Sequence, residues 1–215
     1  MARARIAILA CLLALAPSAL AAYGDLDGTD PSGDVLTSLV VAPTTGACDA
    51  PATDVLGYHL RVAGGDLVAS MDLRDADAPM TCDDTVVGPH NGGSWSFHLR
   101  PADESPNATN NVSYVDIAVR PTSATHAITC TAVYTPAGHN STCWRGVPLS
   151  SLFAGDTWSL SVPLVGTVRQ NDTFVPYDLR GNDYVVHVSS AISYGTTSVP
   201  VGNSRDFVDS APYAL

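Results

Sequence analysis

The chain has 215 residues, 46% of them apolar, with 21 acidic residues against ten arginines and no lysine, for a formal charge of −11. An acidic, lysine-free surface argues against nucleic acid and anionic membrane as partners. It also removes Schiff-base chemistry on lysine and any Walker-type phosphate loop.

The first stretch, MARARIAILACLLALAPSALAA, has a basic start at Arg3 and Arg5, an apolar run from Ile6 to Ala16, and the small-x-small triplet Ala19-Leu20-Ala21. This is the pattern of a secretory signal peptide, residues 1–21, cleaved near Ala21 or Ala22, and too short and Pro-broken to span a bilayer. Cys11 leaves with it. The remainder, 22–215, reads as a single domain of ordinary size. It carries eight basic against 21 acidic residues, a formal charge of −13. No later stretch is long and apolar enough for a membrane helix, so the expectation is a secreted, extracellular protein with no membrane insertion.

DLDGTDPSGD follows, with Asp25, Asp27, Asp30 and Asp34 in ten positions. Calcium takes six to eight oxygens, mostly carboxylate and carbonyl, from a loop able to fold around it. The EF-hand pattern is absent and the loop alone lacks enough ligands. Asp206 or Asp209, in SRDFVDSAP near the other end of the chain, would complete a site if the fold brings the two ends together. Two readings stay open: a structural calcium loop, or a solvated acidic lead-in with Pro31-Ser32-Gly33-Asp34 as a turn. The same choice applies to a second acidic group, Asp72, Asp75, Asp77, Asp83 and Asp84.

Period-two alternation then dominates. VLTSLVVA near Val35 is the first expected strand. Apolar sets follow at Leu56, Tyr58, Leu60 and Val62; at Leu67, Ala69, Met71 and Leu73; and at Trp95, Phe97 and Leu99. Later sets are Val115, Ile117 and Val119; Ile128, Cys130, Ala132 and Tyr134; Trp158, Leu160, Val162 and Leu164; and Tyr184, Val186 and Val188. One apolar and one polar face per run is the mark of half-buried antiparallel strands. Ala63-Gly64-Gly65-Asp66 reads as a hairpin turn. Pro89–Gly93, 101–111 and 170–182 read as loops, and PLSSLFAGD as one helical turn. Many short strands with frequent turns predict an all-β fold, an antiparallel two-sheet β-sandwich, immunoglobulin-like or jelly-roll-like.

Cys48, Cys82, Cys130 and Cys143 remain after the leader, an even count that favours two disulfides in an exported chain. ITCTAVYTPAGHNSTCW reads as a strand, a turn and a return, placing Cys130 opposite Cys143 and leaving Cys48 for Cys82. No CxxC spacing points to a metal instead.

DPSGD soon after the leader, then DVLGYHLRVAGGDLVASMDLRDAD, resembles exported DOMON-like β-sandwich domains, which are similar to family 9 carbohydrate-binding modules. The likeness covers about Asp30 to Asp77. It implies a sandwich that binds sugar or haem, with a structural calcium near its start. Haem in such domains takes Met and His ligands, for which Met71 and His187 are the nominal pair, although Met71 is in phase with the core residues Leu67 and Leu73. Sugar binding uses exposed aromatics with polar neighbours. Trp95 and Trp158 are in phase with the core, so Trp144, Arg145 and the loop residue Tyr177 are the candidates.

No histidine pair has metal spacing, GxSxG is absent, and Glu104 is the single glutamate. Four sequons, at Asn107, Asn111, Asn140 and Asn171, lie in or beside expected loops. The expectation is a non-catalytic binding or surface-associated module with carbohydrate as the leading ligand class. The alternatives are a structural envelope or matrix protein without a small ligand, and a hydrolase or haem carrier.

Overall fold

The computed structural model describes residues 25–39, 48–82, 85–87, 90–102, 111–170, 172–196 and 199–215. The leader, Asp83, Asp84, Glu104, Asn107 and Asn171 lie outside them. In chain order the strands are β1 (Leu26–Thr29), β2 (Leu36–Leu39), β3 (Cys48–Asp49), β4 (Val55–Ala63), β5 (Asp66–Leu73), β6 (Thr81–Cys82), β7 (Thr85–Val86), β8 (His90–Pro101), β9 (Tyr114–Pro121), β10 (His126–Thr135) and β11 (Gly138–Pro148). The helical turn α1 (Leu149–Leu152) falls in PLSSLFAGD as expected. After it come β12 (Phe153–Ala154), β13 (Thr157–Pro163), β14 (Val165–Gln170), β15 (Thr173–Asp178), β16 (Asp183–Thr196) and β17 (Val199–Ala214).

The fold is all-β and antiparallel throughout. A five-stranded sheet, β1-β4-β5-β13-β12, packs against a seven-stranded one, β11-β10-β9-β8-β16-β17-β2. Two small sheets, β14-β15 and β3-β6-β7, complete it, and no sheet closes into a barrel. Period-two alternation is what lets each sheet bury one face. Trp95 and Phe97 project from β8 of the larger sheet. They meet Phe153, Trp158 and Tyr58 of the smaller one edge-to-face, at centroid distances of 5.6 Å (Trp95–Phe153), 5.7 Å (Phe97–Trp158) and 6.4 Å (Tyr58–Phe97). Burying a ring of this size removes about 150–250 Å² from water, an upper figure of about 4–6 kcal/mol each. The indole N–H of Trp95 donates to Ala52 O at 2.8 Å and so holds segment 50–54 across the end of the core.

Several expected faces shift for local reasons. In β4 a bulge between Val55 and Gly57 changes the parity. Val55, Tyr58 and Leu60 are buried, Leu56 is half-buried, and Val62 is exposed. In β10 the inward residues are Ala127, Thr129, Val133 and Thr135. The set containing Cys130 and Tyr134 faces outward, where Cys130 bonds Cys143 and Tyr134 stacks on Tyr114 at 4.0 Å. Both faces of this strand carry apolar residues, so alternation alone does not fix its register. His90–Gly93 belongs to β8, and most of 170–182 forms the β14–β15 hairpin, where loops were expected. LDGT, Leu26–Thr29, is a strand as well. Gly28 in β1 lies directly opposite Tyr58, whose ring covers the space a Cβ would need.

Both disulfides form as expected, Cys48–Cys82 across β3–β6 and Cys130–Cys143 across β10–β11, with Cα separations of 4.1 and 4.3 Å. They close loops spanning 34 and 13 residues. The chain-entropy relation gives about 4 and about 3 kcal/mol. Replacing Cys48 and Cys82 together by Ala is therefore expected to cost about 1 kcal/mol more in urea unfolding than the same change at Cys130 and Cys143.

Candidate metal centre

The amino-terminal turn and the carboxy-terminal strand meet at one end of the sandwich. Carboxylate oxygens of Asp30, Asp34 and Asp206 all lie within 4.8 Å of one another. Asp30 follows β1 and donates its backbone N–H to Leu56 O. Asp34 follows a turn in which Gly33 has φ +88°, a conformation that favours glycine. Asp206 comes from β17, is 3% exposed, and accepts the Val55 N–H at 2.7 Å. Burial, and then the charges of Asp30, Asp34 and Asp54, push its carboxyl up to about 6 against the pull of the Val55 N–H.

Asp54 is the residue that sequence reading missed. It is fully buried at the entry to β4. Its Oδ2 accepts the Gly33 N–H at 2.8 Å and lies 2.7 Å from Arg74 Nε. Its Oδ1 is buried without a hydrogen-bond partner among the described residues. Beside it, the Thr53 hydroxyl bonds Ser204 and, at 3.1 Å, Tyr194. The available signal was a lone aspartate set against the apolar run Val55-Leu56. Carboxylate oxygens suit a hard, oxygen-seeking cation better than zinc or copper.

Asp25 and Asp27, expected in the same loop, stand elsewhere. Asp25 is close enough to Tyr213 for its charge to help burial push that phenol up. Asp27 is on the outer side of β1, where His59 donates from Nδ1 to it at 2.6 Å and from Nε2 to Asp72 at 3.0 Å. Asp209 belongs to β17, and its side chain lies outside the described ones. In the second acidic group, Asp72 accepts from His59 and Thr157. Asp75 caps the Asp77 N–H at 3.3 Å. Among the described residues neither belongs to a cluster of three or more carboxylates.

Trp144 and Arg145 are exposed on the edge strand β11, Trp144 at 67%. Tyr177 is not a loop platform. It is 3% exposed in β15, its ring lies over Gly166, and its hydroxyl donates to Pro163 O at 3.4 Å. Met71 is fully buried, whereas His187 is exposed on the outer face of the opposite sheet, so the two do not face one another. Asn140 is exposed on β11. Asn111 is half-buried with φ 50°.

Two pH responses follow. Burial alone would lower the His59 pKa, but its bonds to Asp27 and Asp72 outweigh this and raise it above 6.5. Its contribution is therefore complete below about pH 6.5 and is lost as pH rises through the raised value. For this half-exposed group, His59→Gln is expected to cost about 0.2–1 kcal/mol at pH 5.5 and less at pH 9, read by urea unfolding. Asp206, also raised, likewise lowers stability as pH rises, but as a cost that sets in rather than a gain that is lost. Its raised carboxyl costs stability when ionised, and the cost fades as pH falls from about 6 towards 4. Asp206→Asn in EDTA should be more stable than wild type at pH 8 and lose that advantage by about pH 4. Compared with protein-family models, curated proteins and solved structures, the chain matches none.

Proposed function

We propose that the chain is a secreted, non-catalytic β-sandwich binding module, surface-associated, with carbohydrate as its ligand class and a structural calcium at Asp30, Asp34 and Asp206. The observation that carries the calcium reading is the meeting of those three carboxylates from opposite ends of the chain, one of them buried. Like charges held this closely require a proton or a cation between them. An oxidising, extracellular setting agrees with the two disulfides. Among the described residues no helix is long and apolar enough to cross a membrane.

The saccharide reading is supported by Trp144 and Arg145, consecutive exposed residues of an edge strand that offer an indole and a guanidinium to solvent. The non-catalytic reading is supported by the histidines best placed for acid–base work. His59 is held between two aspartates. His98 donates from Nδ1 to Asp116 at 2.5 Å and accepts from Arg100 at Nε2 at 2.9 Å, so both its nitrogens are engaged.

Calcium at about one hundred times its Kd adds about 2.7 kcal/mol. The mature protein is therefore expected to melt about 5–10 °C higher in excess calcium than in EDTA. Asp30→Asn with Asp34→Asn should abolish the rise, while Asp25→Asn with Asp27→Asn should leave it. An unchanged melting temperature removes calcium from the reading. Retention on insoluble polysaccharide columns that weakens in Trp144→Ala tests the saccharide part, and equal elution on every matrix removes it.

A further inference from the structure

A second feature lies at the same end of the sandwich as the aspartates. Segment 74–80 leaves β5, the turn 155–156 enters β13, and the β9–β10 turn 122–125 and α1 close the opposite side. Between them is a groove of about 500 Å³, within the roughly 300–1,000 Å³ range of small-ligand sites. Its walls are braced by the protein itself. Asp156 accepts the Ala76 N–H through Oδ1 at 2.9 Å and the Leu73 N–H through its carbonyl at 3.0 Å. Thr125 O accepts the Leu149 N–H at 3.0 Å, and Ser123 Oγ accepts the N–H groups of Thr125 and His126. The floor is apolar: Leu149 is 4% exposed, and Phe153 stands edge-on against the core residue Trp95.

The polar groups at the rim fix the chemistry. Asp77 brings a carboxylate and Ser150 a hydroxyl, neither with a side-chain partner among the described residues. The Thr125 hydroxyl is bonded to His126 Nδ1 at 2.8 Å and keeps acceptor capacity. No arginine or histidine is among the described residues lining the groove. A lone carboxylate without a cation repels phosphates, sulfates and uronates. It accepts readily from ligand hydroxyls. One ring and one leucine offer a surface for C–H groups, short of the multi-sided cage or paired carboxylates that hold an ammonium group.

We propose that this groove, walled by Asp77, Thr125 and Ser150 over Leu149 and Phe153, seats a neutral, hydroxyl-rich ligand, a short saccharide. The inference rests on the saccharide reading above and gives it a pocket away from Trp144.

The test titrates the mature full-length protein with cellohexaose, laminarihexaose, mannohexaose and xylohexaose, followed by amide NMR shifts. Hexagalacturonate and a chitosan hexamer serve as anionic and cationic probes. At least one neutral hexasaccharide should bind and shift amides of 122–126 and 149–155. Ala124→Trp, which fills the groove from an exposed loop position, should weaken binding by at least roughly tenfold at an unchanged melting temperature. Ser150→Trp, from the other wall, repeats the test if Ala124→Trp does not fold. Asp77→Asn and Ser150→Ala should each weaken binding severalfold. Neutral-saccharide binding that survives both plugs but is lost in Trp144→Ala overturns the groove and leaves the saccharide reading standing. No binding of any neutral hexasaccharide overturns both. Preference for hexagalacturonate or the chitosan hexamer overturns the neutral class.

Discussion

The burial of two aspartates, Asp54 and Asp206, at one end of an apolar sandwich is the constraint around which that end is arranged. A carboxylate taken out of water is costly unless it is paired and hydrogen-bonded. Asp54 is met by the Arg74 guanidinium, the Gly33 N–H and, more weakly, the Ser32 hydroxyl. Asp206 accepts, among the described residues, only the Val55 N–H and has three neighbouring negative charges. The first shares the Arg74 cation with Asp49, whereas the second has no cationic side chain against it among the described residues. That difference is why the proposed cation is set beside Asp206. The turn is held by its own polar bonds: Asp30, Ser32 and Gly33 have little apolar surface, and their bonds to Leu56 and Asp54 supply the anchoring that burial cannot.

The same segment ties this corner to the groove. Arg74 reaches back to Asp49 and Asp54, and its backbone N–H donates to Asp54 O. Two residues later the Ala76 N–H donates to Asp156. A chain held at both points has little freedom at Asp77, the next residue. The acidic corner and the groove therefore share one strap of backbone, and a preformed wall lowers the ordering cost of binding.

How much of this was legible in the sequence depended on whether a residue's environment was local. Leu67, Ala69, Met71 and Leu73 alternate with polar neighbours, and their strand is buried as the alternation says. The Cys130–Cys143 hairpin was readable for the same reason, because its strands are joined by a short turn. β10 was not, since Ala127 and Val133 on one face compete with Ile128 and Ala132 on the other. β1 was hidden because its central Asp27 and Gly28 have poor strand propensity. Its pairing comes from distant residues, with Tyr58 over Gly28 and His59 on Asp27. Tyr177 was misplaced because what hides it is Gly166 across a hairpin that composition had marked as loop. At the acidic corner, Asp30, Asp34 and Asp206 were nameable from charge density. Asp54 and Asp27 were not correctly assigned, because each role is set by a partner many positions away.

The outer face of the larger sheet shows why an aromatic-rich surface is not by itself a sugar platform. His187, His98, Tyr114, Tyr134 and His139 form a row across β16, β8, β9, β10 and β11, with successive centroids 6.5, 5.0, 4.0 and 5.3 Å apart. Tyr114 and Tyr134 are stacked, with 19° between their planes, and Tyr134 and His139 with 27°. Ring faces turned towards one another, as at Tyr114 and Tyr134, are spent on cross-strand packing, which stabilises the sheet. A pyranose stacks on a face rather than an edge. Open ring surface lies elsewhere: at Trp144, which pairs with inward-facing Thr129 and so stands on the other side of the sheet from this row, at the exposed Phe174 and Phe207, and in part at Phe153 in the end groove.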